Sequence, residues 1–235
     1  MTGLDTYIDE RVPTGHGGLF YGVHPALVTD VKDPDSQGRV RIKLPWTPDG
    51  GGAAYEAWAR VATLMAGADR GTWFVPDVDD EVLVAFEGGD ASRPYVLGAL
   101  WNGRDKPPDT MDGAGRNPHR IIKTRNGVKV TLDDEQGQEK LILETPGGQK
   151  ATLRDGPGSI TLEDANGNRA VMESSGITLT TSAKATVSAS TVEITAGSVT
   201  VNAGMSTFSG VVKADTVITN AVVSSSYTPG AGNVW

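Results

Sequence analysis

The residue types that could do chemistry are few in this sequence of 235 residues. Four acidic residues gather at positions 77–81, where paired carboxylates could hold a cation. The pattern D-x-D-x-Q-G at residues 33–38 begins like a calcium loop, but Leu44 stands where the bidentate acid would close it. Both segments have the composition of turns, so we interpret them as solvated loops and expect no metal site there.

The sequence does not show the residues that would support catalysis by a nucleophile. A serine nucleophile needs a positioned base, and the three histidines, His16, His24 and His119, are scattered. No G-x-S-x-G elbow occurs, and the glycines at 50–52 are not followed by the Lys-Ser/Thr of a phosphate loop. Without cysteine, disulfides and Cys-based zinc or iron–sulfur sites are excluded. We therefore assign no catalytic, cofactor-binding or metal-binding residue and expect no enzyme.

One basic strand could bind a nucleic acid. Arg39, Arg41 and Lys43 alternate and so share a face, and Trp46 or Trp58 could stack on bases. Against this interpretation stands a net charge of −8, which repels phosphate backbones and anionic lipid at long range. Binding of single-stranded nucleic acid by a barrel with a fibrous tail remains the alternative function. Our main hypothesis expects no nucleic-acid partner.

The composition and the N-terminal sequence bear on where the protein acts. Residues 1–10 are polar and acidic, without the basic and apolar regions of a secretory signal. No run approaches the roughly 18 apolar residues that span a bilayer. We expect assembly in the bacterial cytoplasm without a signal peptide.

The pattern of strands and turns divides the chain into five parts. Residues 1–18 form a polar arm, and residues 19–101 hold five strand candidates without helical periodicity, which indicates a small closed barrel of the OB type. Strand 81–87 reads as buried on both faces. The strand candidates are 20–31, 39–44, 57–63, 81–87 and 95–100, and the expected core includes Val82, Val84, Phe86, Val96 and Leu97.

The second half of the chain repeats short strands. After a Gly/Pro/Asp-rich linker at 102–119, strands recur about every 8–12 residues across 120–223, separated by Gly- and Asn-rich turns. Such short strands, each with one apolar face, bury too little area to offset the roughly 1–2 kcal/mol per residue of lost backbone entropy. We expect three chains to wind together, pairing their backbones with one another, and hold a lone solenoid as the alternative. Residues 224–235 form a Pro/Gly-rich tip segment.

Several motifs in a fixed order resemble a known family. They lie at residues 31–42 (VKDPDSQGRVRI), 58–61 (WARV), 74–76 (FVP), 80–90 (DEVLVAFEGGD) and 93–103 (RPYVLGALWNG). Their combination resembles the phage baseplate assembly protein V family and the VgrG-type spikes of contractile injection systems. Asp79 departs from the pattern, because the family often has Gly there. The large N-terminal hub domain of VgrG proteins, a lysozyme-like insert and the His-x-His motif near some phage spike tips are also missing.

The resemblance implies a fold and a function. The fold is all-β, with an N-terminal OB-fold barrel followed by an intertwined trimeric β-helix. The expected function is that of a central spike in the baseplate of a phage or phage-tail-like particle, which punctures a target membrane. The implied partners are two further copies in a homotrimer, a separate hub protein at the barrel end, and a possible PAAR-type tip protein at the C-terminal end.

Overall fold

A computed structural model describes residues 19–48 and 54–225, and its regular structure is almost entirely strand. Five strands close into a barrel in the order β1-β2-β3-β7-β6, in which only the β3–β7 pairing is parallel. The barrel strands are β1 (Val23–Asp30), β2 (Val40–Pro48), β3 (Ala54–Val61), β6 (Glu81–Phe86) and β7 (Pro94–Ala99). A small hairpin, β4 (Ala66–Gly67) and β5 (Arg70–Gly71), lies between β3 and β6. The expected all-β fold with an N-terminal five-stranded barrel is therefore confirmed.

The barrel is filled by one set of alternate side chains from each strand. Val82, Val84 and Val96 are completely buried, and Phe86 nearly so, as expected. Leu97 was wrongly assigned to the core, because it is 48% exposed on the outer surface. The expectation that strand 81–87 is buried on both faces was also wrong. In a small barrel only one face of each strand points inward. Successive residues of β6 therefore alternate between half-buried and buried.

An aromatic cluster closes one end of the barrel. The ring of Phe20 lies 4.9 Å from that of Phe86 and 5.9 Å from that of Tyr55. The Tyr55 hydroxyl donates a hydrogen bond to the Ala91 carbonyl, and burial raises the pKa of Tyr55 to about 12. The segment before β1 is fixed there by a bond from the Phe20 amide to the Gly89 carbonyl.

The repeat region forms a separate antiparallel sheet in the order β14-β13-β12-β11-β10-β9-β8. Each strand pairs with its neighbour in sequence, so the sheet is a meander. We expected these backbones to pair between chains, and that expectation was wrong for this segment. Short turns keep the paired strands close in sequence, so pairing them within one chain costs little conformational entropy. The strands are β8 (His119–Lys123), β9 (Lys129–Asp133), β10 (Lys140–Glu144), β11 (Lys150–Arg154), β12 (Ser159–Glu163), β13 (Arg169–Glu173) and β14 (Gly176–Thr180).

The chain divides into two compact units, and the barrel and the meander sheet both belong to the first, which ends at Ala183. Between Lys184 and residue 225, the described backbone carries no strand and every side chain is exposed. The arm at 1–18 and most of the tip segment at 224–235 lie outside the described residues. Within the described ranges, no helix is long and apolar enough to cross a membrane.

Candidate functional site

The meander sheet has one face made only of apolar side chains from β9 to β14. Directly paired residues share a face, and successive residues along a strand alternate between faces. In β10, Leu141 pairs with Leu132, and Leu143 pairs with Val130. The same register carries this set across the sheet: Val130, Leu132, Leu141, Leu143, Ala151, Leu153, Ile160, Leu162, Ala170, Met172, Ile177 and Leu179.

Nothing within the described chain covers this apolar face. Exposure is above two-fifths for Leu132, Leu143 and Leu162, and rises to 71% and 79% for Ile177 and Leu179 in the last strand. A contiguous apolar surface of this extent is rare on a monomer and marks an interaction site. The sheet is therefore built to be half of an interface.

The opposite face carries charged side chains at the strand ends, and its central row of threonines also contains Ile142 and the buried Val171. Glu144 lies between Lys129 and Lys150, with N–O distances of 3.8 and 4.0 Å. Glu163 and Arg169 form the next pair at 3.8 Å. These pairs are partly exposed, so each contributes only about 0–1 kcal/mol. Alternating charges on neighbouring strands favour this register over a shifted one.

One edge of the sheet is tied to the segment that leads into it. His119 Nδ1 lies 2.7 Å from Asp109, whose pKa is lowered mainly by that hydrogen bond. Burial raises the pKa of Asp133, but hydrogen bonds from the Glu135 amide and from Lys140 outweigh it and hold that pKa below its usual range. The carboxylate of Asp133 thus stays charged and joins β9 to β10.

The turns of the meander explain why the sequence folds this way. In the β12–β13 turn, Asp164 accepts hydrogen bonds from the backbone amides of Asn166 and Asn168. The side-chain amide of Asn168 also donates to it and is the largest cause of the lowered pKa of Asp164. Gly167 completes the turn at a φ of 83°. Such turns fix the register, and the register places most apolar strand residues on one side, with Ile142 and Val171 on the other.

The structure gives the calcium-like pattern of the sequence a different role. Asp33 accepts hydrogen bonds from the amides of Asp35, Gln37 and Arg39, and the Arg39 guanidinium lies 2.6 Å from its carboxylate. The Arg39 hydrogen bond is the main cause that holds the pKa of Asp33 far below its ordinary value. This loop is a turn that is stabilised by its own aspartate.

The acidic group at 77–81 is also committed to local structure. The Asp77 carboxylate lies 2.9 Å from Arg125 in the β8–β9 turn, and its amide donates to Asp80. Glu81 accepts a hydrogen bond from Asn102. Asp79, where the family often has Gly, adopts a φ of 74°, which Asp tolerates better than most residues. Among the described residues, no group of three or more His, Asp or Glu side chains is arranged to hold a metal ion.

The basic strand offers few open cations to a nucleic acid. Arg39 precedes β2, is paired with Asp33 and Asp35, and lies 5.9 Å from the Trp58 ring. Arg41 is paired with Glu56 at 3.0 Å. The side chain of Trp46, the other candidate stacking residue, lies outside the described residues. The stripe is largely neutralised by this chain's own carboxylates.

Sequence reasoning missed strand β8 and the small β4–β5 hairpin. Strand β8 was placed partly in the linker, although Arg120-Ile121-Ile122-Lys123 is a short apolar core with polar flanks. The hairpin has only two residues in each strand, which is too short for any periodicity to be seen.

Comparisons with known proteins match both parts of the molecule. Residues 24–101 match the type VI secretion system/phage-baseplate injector OB domain. Residues 140–207 match the phage baseplate V C-terminal trimerisation domain, which begins at β10 of the meander sheet and continues beyond β14. The two matches follow the order of barrel and repeat in this chain.

Curated relatives carry the same resemblance. The type VI secretion system spike protein VgrG2a of Pseudomonas aeruginosa is 29% identical over 126 residues, which are 50% of this chain and 14% of the relative. VgrG1b of the same organism is 26% identical over 143 residues, 56% of this chain and 19% of the relative. The actin cross-linking toxin VgrG1 of Vibrio cholerae is 28% identical over 113 residues, 46% of this chain and 10% of the relative.

The matches therefore span only a small part of the length of these relatives, between 10% and 19%. The injector OB domain overlaps the closed barrel, and the trimerisation domain includes β10 to β14, five of the six strands that expose an apolar face. The chain belongs to the phage baseplate V and VgrG-type spike family.

Proposed function

We propose that this protein is the structural central spike of a contractile tail or injection system and works as a homotrimer that punctures a target envelope. The observation that carries the proposal is the uncovered apolar face of the meander sheet, which lies within a matched trimerisation domain. Burying a half-exposed Leu or Ile contributes on the order of 1 kcal/mol, and the eight Leu and Ile residues of this face in each of three chains make a strong interface.

The match to a trimerisation domain favours three copies over two as the cover for this face. Sheets that meet face to face around a threefold axis form a triangular prism, with the apolar faces inside and the charged rows in water. The segment after Ala183 supports the same arrangement. Its apolar residues recur in pairs such as Val192/Ile194 and Val199/Val201, all exposed in the single chain. A backbone that forms no strand by itself can form one against neighbouring chains.

The remaining assignments follow from this role. The barrel end would dock on a separate hub protein in the baseplate of a phage or phage-tail-like particle, and the C-terminal end would carry the tip, with or without a PAAR-type cap. The particle would assemble in the bacterial cytoplasm. Contraction would drive the spike through a membrane as a mechanical step, without an enzymatic reaction and without binding nucleic acid. The neutralised Arg39 and Arg41 and the net charge of −8 support the last point.

Light scattering on the purified chain tests the proposal directly. We expect a single species of about 74 kDa, three times the chain mass of 24.6 kDa. A stable monomer would overturn it. A native gel with a single-stranded oligonucleotide distinguishes the spike from the nucleic-acid-binding alternative. A spike should leave the mobility of the oligonucleotide unchanged at physiological salt.

A further inference from the structure

The barrel exposes a second set of large apolar residues on the segment between β3 and β6. Leu64 is 97% exposed and Trp73 is 78% exposed, and Met65 and Phe74 are also mostly exposed. These four side chains belong to residues 62–74, which we call the apolar hairpin. An isolated two-stranded ribbon is marginally stable in water, so an arm that presents four such residues needs a covering surface.

The apolar hairpin is held in a defined shape. The Thr72 amide donates to the Met65 carbonyl at 3.0 Å, and Thr63 Oγ1 donates to the Thr72 carbonyl at 2.8 Å. The Trp73 ring lies over Gly38, where an added Cβ would come within 3.0 Å of the ring. Trp73 is therefore presented in a fixed orientation. A pre-positioned tryptophan is typical of the residues that dominate binding energy at protein interfaces.

A complementary surface lies on another side of the same barrel. Val23 and Leu27 on β1, Leu83 on β6 and Leu97 on β7 point outward, and we call them the barrel patch. The register places them together, because Leu83 pairs with Pro25 and Gly98 on its two sides. Val23, Leu27 and Leu97 are each more than a third exposed.

The hairpin and the patch are different surfaces of the barrel, and they come nearest at β7, where the Ala62 amide donates to the Val96 carbonyl. In the ring β1-β2-β3-β7-β6, strand β6 has β1 and β7 as neighbours, so β2 and β3 lie opposite. The apolar hairpin continues from β3 and packs over the β1–β2 loop at Gly38. The outer surface between β2 and β3 is itself polar, with the Arg41–Glu56 ion pair. The barrel thus carries two separate apolar surfaces, the hairpin after β3 and the patch on β1, β6 and β7.

We infer that the apolar hairpin of one copy packs on the barrel patch of the next copy, so that three barrels close into a ring. A threefold assembly needs a heterologous contact, made by two different surfaces on every subunit. The inference rests on the proposed homotrimer. Continuity with the trimerisation domain supports it: three residues after Phe74, Asp77 is paired with Arg125 of the β8–β9 turn at 2.9 Å. Copies joined through their sheets would thus bring the hairpin of one copy near the neighbouring barrels.

A photo-cross-linking experiment tests this contact in the full chain. The chain contains no cysteine, so Leu64→Cys gives one site for benzophenone-4-maleimide at a position where the exposed side chain supports no core. After irradiation, we expect covalent dimers and trimers on a denaturing gel. Mass spectrometry should locate the insertion in peptides that contain Val23, Leu27, Leu83 or Leu97.

The matched control is Glu56→Cys with the same label, an exposed position on the polar side of the barrel. It should remain monomeric on the denaturing gel. If the labelled Leu64→Cys protein has trimer mass by light scattering but yields only monomers, or inserts outside the barrel patch, the barrel ring is wrong and the trimer stands. That result would leave the hairpin for a different protein, such as a hub. If light scattering gives a monomer, the proposed trimer itself fails.

Discussion

The barrel and the meander sheet use the same strand pattern in opposite ways. In the barrel, Val82, Val84 and Val96 point inward and are completely buried within one chain. In the sheet, residues at the equivalent alternate positions, such as Leu143 and Leu162, remain more than two-fifths exposed. A closed barrel buries its own apolar face, whereas an open sheet leaves its apolar face to be covered by another molecule. We expect the first region to fold without a partner chain, whereas the second needs one to cover its apolar face.

The largest effect should come from a charge on the apolar face of the sheet. Leu162→Glu would place three carboxylates near the axis of the proposed trimer, where an unpaired buried charge costs several kcal/mol. We expect loss of the trimer, measured by light scattering as a fall from three chain masses to one.

The neighbouring residue provides a matched control. Thr161 lies on the polar face, where it pairs with Thr152 and has Lys150 and Arg169 in the same region. Thr161→Glu should keep the trimer. If both variants dissociate, the loss reflects damage to the sheet and not the side on which the charge lies.

The second effect should be confined to the barrel. Val84→Asp buries a carboxylate at a fully enclosed position, at a cost comparable to the whole stability of a small domain, about 5–15 kcal/mol. The barrel should unfold while the sheet region persists as a protease-resistant trimer, seen by limited proteolysis followed by light scattering. Complete dissociation would show that the two regions are not independent.

The sequence predicted the strands better than their partners. Alternation in segments such as residues 160–162 (I-T-L) shows which residues share a face, and this was enough for the all-β fold and for an unsatisfied apolar side. It does not show whether the paired strand comes from the same chain, so the local meander was missed. Leu97 was misplaced for a related reason, because an apolar residue on a barrel strand fits either the core or an interface.

The apolar hairpin was beyond sequence reasoning for a physical reason. Leu64 and Trp73 come together only because two-residue strands and Gly71 allow a tight ribbon. A Cβ at Gly71 would lie 2.5 Å from the Met65 carbonyl oxygen. No periodic pattern in the sequence predicts such an arrangement. The domain boundaries proposed from composition stay predictions.

A smaller effect is expected at the β1–β2 turn, with a defined pH dependence. The ionised Asp33 has a pKa held far below its ordinary value of 3.8, so it stabilises the folded barrel fully at neutral pH. That contribution decreases as pH falls below 3.8, because the unfolded chain is protonated first. Asp33→Asn should lower the melting temperature by several degrees at pH 7 and by progressively less below pH 4.

Asp35→Asn is the control for this turn. Asp35 is more exposed than Asp33 and its side chain contacts only one partner, Arg39, among the described contacts. Its replacement should change the melting temperature little at either pH. A difference between Asp33→Asn and the parent protein that grew in acid would contradict the proposed role of the ionised carboxylate.

The smallest effect should follow removal of the C-terminal residues. Residues 227–235 lie outside the described residues, and their sequence, Y-T-P-G-A-G-N-V-W, cannot continue a strand ladder, because proline has no amide donor. If the apolar face of the sheet holds the trimer, deleting these residues should leave light scattering at three truncated chain masses. The deletion should weaken only the tip or the binding of a cap protein, measured by co-purification with a PAAR-type partner. Dissociation into monomers would instead make the tail part of the interface and weaken the contrast between a self-sufficient barrel and a sheet that needs partners.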